Sequence, residues 1–147
     1  MRALRSGLLL VLASAAMPVA ALDFASLAEP AVMYDAPSAK AKPLFVASRY
    51  TPVEIVVSLE GWVKVRDASG PPLAWVERRL LAEQRTVAVK VARAQIRVQA
   101  EDGAAVAFEA EKDVVLDLIE ATSAGWAKVK HRDGQAGYVR VAQVWGL

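Results

Sequence analysis

Hydrophobic and polar residues alternate along most of the chain beyond its first 21 residues. In the stretch WVKVR at 62–66, Val63 and Val65 share one side of an extended strand, whereas the tryptophan, lysine and arginine share the other. Two further runs rich in β-branched residues, PVEIVVSL at 52–59 and DVVLDLIE at 113–120, end at polar or glycine residues. This pattern is typical of β-strands, so the sequence predicts an all-β protein with Val63 and Val65 in its core.

Two stretches of the chain are similar in sequence. GWVKVRDASG at 61–70 matches GWAKVKHRDG at 125–134, and the match continues from LAWV into AGYV. In each stretch, turn-forming residues separate two strand-like runs, which predicts a tight hairpin. The sequence therefore predicts two copies of one small domain, at 22–89 and 90–147. A domain of about 60 residues without disulfides is only marginally stable, so the copies are expected to pack together as a rigid pair.

The first 21 residues have the plan of a secretory signal peptide. Arg2 and Arg5 precede an uncharged apolar run at 7–16, and small residues lead up to Ala21. The alternative is an uncleaved membrane anchor, but the apolar run is short for a spanning helix and Pro18 interrupts its continuation. We therefore expect cleavage near Ala21 and a periplasmic or secreted protein, with no integral membrane segment in the mature chain.

Cysteine is absent from the chain, which excludes disulfides, thiol nucleophiles and thiolate metal sites. The net charge of +2 derives from Arg2 and Arg5 alone, and the rest of the chain carries equal numbers of basic and acidic residues. A nucleic-acid-binding domain needs a surplus of lysine and arginine to engage phosphates. We therefore expect no nucleic-acid partner.

The ordered set of motifs resembles the bacterial SH3-like (SH3b) domain family. VMYDAPS, GWVKVRD, LAWVERRLL and RTVAV fit the first copy, and IRVQAED, GWAKVKHRDG and GYVRVAQVW fit the second. The resemblance implies two tandem SH3-like five-stranded small barrels. The second copy has little chain left for its own last strand, so that barrel is either open there or completed by the segment between the copies.

The resemblance implies little about the ligand, because such barrels serve many functions. In eukaryotic SH3 domains, proline-rich peptides lie in grooves between aromatic side chains. The proline that usually lines this groove falls on Glu77 in the first copy and on Arg140 in the second. Recognition of a proline helix is therefore disfavoured.

The residues offer little support for catalysis. His131 is the single histidine, and its place in a predicted hairpin turn indicates a solvated residue. Ser123 has no supporting motif for a nucleophile. Glu109, Glu111 and Asp113 alternate and could hold a hard cation, but no further oxygen ligands accompany them, which favours a solvated edge. The sequence predicts a non-enzyme with no metal and no cofactor.

Aromatic residues with lysines beside them are the candidate binding residues. Alternation turns Trp62 and Trp126 away from the valine core, so each offers stacking area next to donors for carboxylates, which suits a peptide or a sugar. A structural role for these tryptophans is the alternative, and their recurrence in both copies favours it. The full candidate set consists of Tyr34, Trp62, Lys64, Trp75, Trp126, Lys128 and Tyr138.

These features favour a non-enzymatic exported binding protein of the cell envelope that recognises cell-wall peptide or a partner protein. One alternative is a structural or assembly adaptor that acts only by protein–protein contact. Another is a targeting module for a separate wall hydrolase. Buried tryptophans together with a large exposed apolar patch elsewhere would favour the adaptor. The sequence leaves the ligand and the oligomeric state open.

Overall fold

The computed structural model describes residues 23–122 and 124–147; the predicted signal peptide and Ser123 lie outside this range. In the described residues the chain forms fourteen β-strands, and no helix there is long and apolar enough to cross a bilayer. The first seven strands are β1 (Asp23–Leu27), β2 (Ala31–Tyr34), β3 (Pro43–Ala47), β4 (Pro52–Ser58), β5 (Trp62–Asp67), β6 (Gly70–Glu77) and β7 (Leu81–Ala82). The next seven are β8 (Thr86–Val89), β9 (Arg93–Arg97), β10 (Val106–Glu111), β11 (Val115–Ala121), β12 (Trp126–Lys130), β13 (Ala136–Arg140) and β14 (Val144–Trp145).

The strands form two sheets with the same topology. The first sheet has the order β3-β2-β6-β5-β4-β1-β7, and the second has the order β10-β9-β13-β12-β11-β8-β14. A short 3-10 turn precedes the last strand of each sheet, at Arg78–Leu80 and Val141–Gln143. The predicted duplication and all-β class are confirmed. We call β1–β7 module 1 and β8–β14 module 2.

Each sheet has seven strands rather than the five expected from the sequence. The additional strands in module 1 are β1 and β3, which lie outside the motifs that carried the prediction. Their counterparts in module 2 are β8 and β10. In both modules β3 or β10 forms one edge of the sheet, and a two-residue strand forms the other edge.

The alternating valines form the cores, as the sequence predicts. Val63 and Val65 are buried in the core of module 1, where Leu27, Met33 and Val53 pack with them. The core of module 2 is built from a corresponding set, which includes Val87, Ile96, Leu116, Val129 and Val139. Each module therefore has its own core on one side of its sheet.

The strand β8 joins the second sheet. The sequence predicts this stretch at the end of the first copy, whereas in the structure it pairs with β11 and with β14. The boundary between the sheets thus falls between Ala82 and Thr86 rather than after Val89. Because β14 pairs with β8 and is as long as β7, the segment between the copies completes the second sheet.

The two modules contact each other directly. The rings of Phe24 in module 1 and Trp145 in module 2 lie 5.2 Å apart, centroid to centroid. The hydroxyl of Thr86 donates a hydrogen bond of 2.6 Å to the carbonyl oxygen of Tyr50. The guanidinium of Arg132 stacks on the ring of Tyr50 at 3.4 Å from its centroid. Aromatic, hydrogen-bonded and cationic contacts therefore all join the modules.

Candidate functional site

A row of side chains crosses three neighbouring strands of module 1. Tyr34 on β2 lies directly opposite Trp75 on β6, and Trp75 lies opposite Lys64 on β5. Trp62 precedes Lys64 by two residues and is therefore on the same side of β5, where it lies opposite Glu77. Four residues selected from the sequence thus lie together with Glu77 on one side of the sheet, which we call the module 1 face.

Aromatic contacts hold the module 1 face together. The rings of Tyr34 and Trp62 meet edge to face, with centroids 5.7 Å apart and an interplanar angle of 80°. The Lys64 ammonium nitrogen lies 5.8 Å from the centroid of the Trp75 ring. All four side chains are half-buried. The face therefore presents aromatic area and an ammonium group that a ligand can contact.

Glu77 adds a carboxylate to the module 1 face. Its Oε2 accepts a hydrogen bond of 2.6 Å from Nε of Arg79, and this bond raises the pKa of Arg79. The side chain of Arg79 is 69% exposed. Surface ion pairs of this kind contribute little to stability, so the carboxylate of Glu77 can exchange this partner for another cation.

The hairpin between β5 and β6 sets the positions of Trp62 and Glu77. At its turn, Oδ1 of Asp67 accepts a hydrogen bond of 2.9 Å from the backbone N–H of Ser69. Gly70 closes the turn with a φ of 88°, a left-handed conformation that glycine adopts without steric cost. The turn residues recognised in the sequence therefore fix the register that brings the tryptophan opposite the glutamate.

Module 2 presents the corresponding row with different side chains. Arg97 on β9 lies opposite Tyr138 on β13, and Tyr138 lies opposite Lys128 on β12. Trp126 lies opposite Arg140. The three residues selected from the sequence in this copy are thus together, but arginines stand where module 1 has Tyr34 and Glu77.

Trp126 is buried, which corrects the expectation that it forms an open binding face. Only 3% of its surface is exposed. The guanidinium of Arg140 stacks on its ring at 4.3 Å from the centroid, and Nε of Arg140 donates a hydrogen bond of 3.1 Å to Oδ1 of Asp102. Asp102 also accepts from Nη2 of Arg140, and these hydrogen bonds lower the pKa of its carboxyl group. We call this pair the Arg140 clasp.

Glu77 and Arg140 occupy the same place in the two copies, but the sequence predicts no binding role for them. Their position after each returning strand was the available signal. The partner of Arg140, Asp102, is 38 residues away in the chain, and no local pattern marks it. Only the folded module brings that carboxylate to the guanidinium that lies over the tryptophan.

A depression of about 400 Å3 lies in module 2 beside His131. Nδ1 of His131 lies 3.1 Å from Oδ1 of Asp133, whose pKa is lowered mainly by a hydrogen bond from the backbone N–H of Gln135. The other lining residues are Phe108, Glu109, Ala110, Glu111 and Val114. This lining contains no hydroxyl or thiol nucleophile. In the described part of the chain, no cluster of histidine and acidic side chains fits a metal ion.

Comparison with known proteins identifies the family. The sequence profile of the bacterial SH3 domain matches residues 28–83 and again residues 90–146. The comparison with curated proteins gives no significant match. Among solved structures, the chain is similar to NlpC1 and NlpC2 from Trichomonas vaginalis and to an NlpC/P60 family protein from Bacillus cereus.

The similarity to these three structures is distant. The sequence identities are 18%, 15% and 14%, and the TM-scores are 0.39, 0.38 and 0.40. The alignments cover 94%, 85% and 84% of this chain, but 50%, 48% and 56% of the other chains. The protein thus spans about half the length of these structures. Because the family profile matches most of the sequence in two successive regions, the chain belongs to the bacterial SH3 domain family, as two tandem copies.

Proposed function

We propose that this protein is a non-enzymatic, exported binding protein of the cell envelope that recognises peptide through the module 1 face. The observation that carries the proposal is the row formed by Tyr34, Trp75 and Lys64, with Trp62 beside it. The peptide belongs either to the cell wall or to a partner protein. Export is proposed from the predicted signal peptide at residues 1–21.

The composition of the module 1 face supports peptide recognition. Half-buried aromatic side chains offer rigid contact area at a low entropic cost. Lys64 and Glu77 place charges of opposite sign on the same surface, so the face can pair with both kinds of charged group in a peptide. Membership of the bacterial SH3 domain family agrees with this role, because the family's domains are typically binding modules.

A second candidate is a structural adaptor that acts only through protein–protein contact. The observation that favours it is the edge strand β3 of module 1, where Val46 is 67% exposed and Leu44 is 37% exposed. The strand β10, its counterpart in module 2, also exposes Val106, but it has the charged Glu109 at the position of Val46 and ends at Glu111. Exposed apolar edge strands can pair with another chain, whereas charged ones discourage pairing.

Co-sedimentation with purified murein sacculi tests the proposal. Residues 22–147 should pellet saturably with sacculi, and Trp62→Ala should abolish the pelleting. Val98→Ala is the control, because Val98 is an exposed residue of module 2 outside the module 1 face. Circular dichroism establishes that each variant stays folded. If the Trp62→Ala protein is folded and pellets like the wild type, the module 1 face is not the binding surface.

Failure of the wild type to pellet would exclude a cell-wall ligand. Cross-linking in intact cells then separates the two remaining roles. Loss of cross-links to a partner in Trp62→Ala would indicate peptide recognition of a protein. Loss of cross-links in Val46→Ser, with Trp62→Ala unaffected, would favour the adaptor.

A further inference from the structure

We propose that the module 1 face binds a peptide by a cationic side chain, whose guanidinium or ammonium group stacks on Trp62 and pairs with Glu77. This inference rests on the proposed function and names the chemistry of the ligand. Its basis is the comparison of two equivalent positions within the same chain. One of these positions is occupied by a cation of the protein itself.

Module 2 shows how this surface holds a cation. The guanidinium of Arg140 lies over the Trp126 ring at 4.3 Å, within the range of cation–π attraction. The carboxylate of Asp102 accepts two hydrogen bonds from the N–H groups of the guanidinium. An indole ring at the face of the guanidinium and a carboxylate at its edge therefore form a guanidinium site, which is filled from within the module.

Module 1 has the same tryptophan but not the arginine. Trp62 and Trp126 each begin the first strand of the repeated hairpin, β5 in module 1 and β12 in module 2. Each tryptophan lies opposite the residue that ends the second strand of its hairpin. That residue is Glu77 in module 1 and Arg140 in module 2. In the described part of module 1, Trp62 contacts Tyr34 edge to face and has no guanidinium stacked on it. Trp62 is accordingly more exposed than Trp126.

Module 1 has Glu77 at the position that Arg140 has in module 2. This difference changes the charge of the group that the tryptophan surface prefers to bind. A glutamate at this place repels a carboxylate and attracts a cation, so it takes the role that Asp102 has in module 2. Its present partner, Arg79, is exposed and lies two residues away along the chain. A ligand cation that also gains contact with the indole ring can replace Arg79, because desolvation strengthens cation–π attraction.

Lys64 then acts on another part of the same ligand. Its ammonium nitrogen lies near the Trp75 ring, two residue pairs along the hairpin from Trp62 and Glu77. A carbonyl or carboxylate of the peptide can accept a hydrogen bond from it. The face is thus suited to a peptide in which a cationic side chain and an acceptor group are close together.

Titration with blocked pentapeptides tests the proposal. The probes are acetyl-Gly-Gly-Arg-Gly-Gly-amide, the lysine analogue, and the citrulline analogue, which keeps the shape of arginine without its charge. Chemical shifts of the Trp62 indole N–H are followed by NMR in residues 22–147. The arginine and lysine peptides should shift this signal saturably, and the citrulline peptide should bind at least tenfold more weakly. Equal binding of the citrulline and arginine peptides, or no binding of either cationic peptide, would overturn the inference.

Three variants locate the binding energy. Glu77→Gln should weaken the arginine peptide about tenfold, since it removes the charge from the hydrogen bond acceptor. Glu77→Arg should abolish binding, because the new arginine would cover Trp62 as Arg140 covers Trp126. Glu83→Gln removes the same charge from an exposed position just after module 1 and should bind as the wild type does. The backbone amide spectrum reports on folding independently. Unchanged affinity in folded Glu77→Gln contradicts the proposed pairing.

The outcomes of the sacculus experiment and of the peptide experiment distinguish the proposed function from the inferred ligand chemistry. Pelleting that depends on Trp62 without binding of the cationic peptides would retain the proposed function and reject the inferred chemistry. Binding of the cationic peptides without pelleting would support the inference and assign the ligand to a protein. Absence of both would reject both.

Discussion

The ring of Phe24, on the first strand of module 1, meets the ring of Trp145, on the last strand of module 2, at an interplanar angle of 87°. Arg85, in the segment between the modules, has its guanidinium over the ring of Phe24, 5.6 Å from the centroid, and donates a hydrogen bond of 2.5 Å to the carbonyl oxygen of Gly146. The chain thus brings the two ends of its described fold to the short segment that connects the modules. These contacts favour unfolding of the pair as one unit.

We expect Trp145→Ala to uncouple the two modules. The substitution removes an aromatic pair and part of its buried area, which should lower the free energy of unfolding by about 2 kcal/mol. Urea denaturation followed by circular dichroism should change from one transition to two. Trp145→Phe is the control, because it keeps a ring opposite Phe24. A single unshifted transition in Trp145→Ala would show that the aromatic pair does not couple the modules.

We expect Gly137→Ala to destabilise module 2. A Cβ atom at this position would lie 2.5 Å from the carbonyl oxygen of Arg97, so β9 and β13 would have to separate. Such overpacking typically costs about 1 to 3 kcal/mol. In module 1, Ala74 occupies the equivalent place opposite Val65 and is buried without difficulty.

The matched change for Gly137→Ala is Ala74→Gly. It should cost only about 0.5 to 1 kcal/mol, through the conformational freedom of glycine in the unfolded chain. Thermal unfolding of both variants checks the difference. Equal losses at the two positions would show that the strands of module 2 can shift apart at little cost.

We expect Arg140→Ala to expose Trp126. The Arg140 side chain covers one side of the indole ring, and an alanine at position 140, opposite Trp126, is too short to cover it. A soluble paramagnetic probe should then broaden the ring proton signals of Trp126 several-fold more than in the wild type. Glu77→Ala is the matched change in module 1 and should leave the Trp62 signals nearly as they are. If the probe broadens the Trp126 signals no more in Arg140→Ala than in the wild type, other side chains bury the ring.

Exposure of Trp126 should also depend on pH. The hydrogen bonds from Arg140, with a smaller contribution from the charge of Arg97, lower the pKa of Asp102 below its ordinary value of 3.8. The clasp is therefore fully formed above that value and is lost as the pH falls through the lowered pKa. The same paramagnetic measurement should show Trp126 becoming accessible only below about pH 4. In Asp102→Asn, Trp126 should be accessible already at neutral pH and should show no such transition. A pH profile identical to that of the wild type would contradict this assignment.

The strands and the core were predictable from the sequence because a period of two is a local property of extended backbone. Val63 and Val65 are in the core as alternation requires. The side of the sheet on which the tryptophans lie was predictable for the same reason. Their exposure was not, since the cover of Trp126 depends on a loop carboxylate that reaches Arg140 only in the folded module.

The sheet to which Thr86–Val89 belongs could likewise not be predicted from the local sequence pattern. TVAV predicts a strand in either module, and its hydrophobicity fits both cores. Its membership is decided by pairing with Leu116 and with Val144, which follow it by about 30 and about 55 residues. Such pairings depend on long-range chain closure rather than on neighbouring residues.

Each sheet contains an inner strand that precedes the region matched by the family profile. β1 ends at Leu27, just before residue 28, and β8 ends at Val89, just before residue 90. β1 lies between β4 and β7, and β8 lies between β11 and β14. A single copy transplanted into another protein within the limits of the family match would therefore lack the strand that holds its last strand in place. A transferable unit has to start at Asp23 or at Thr86.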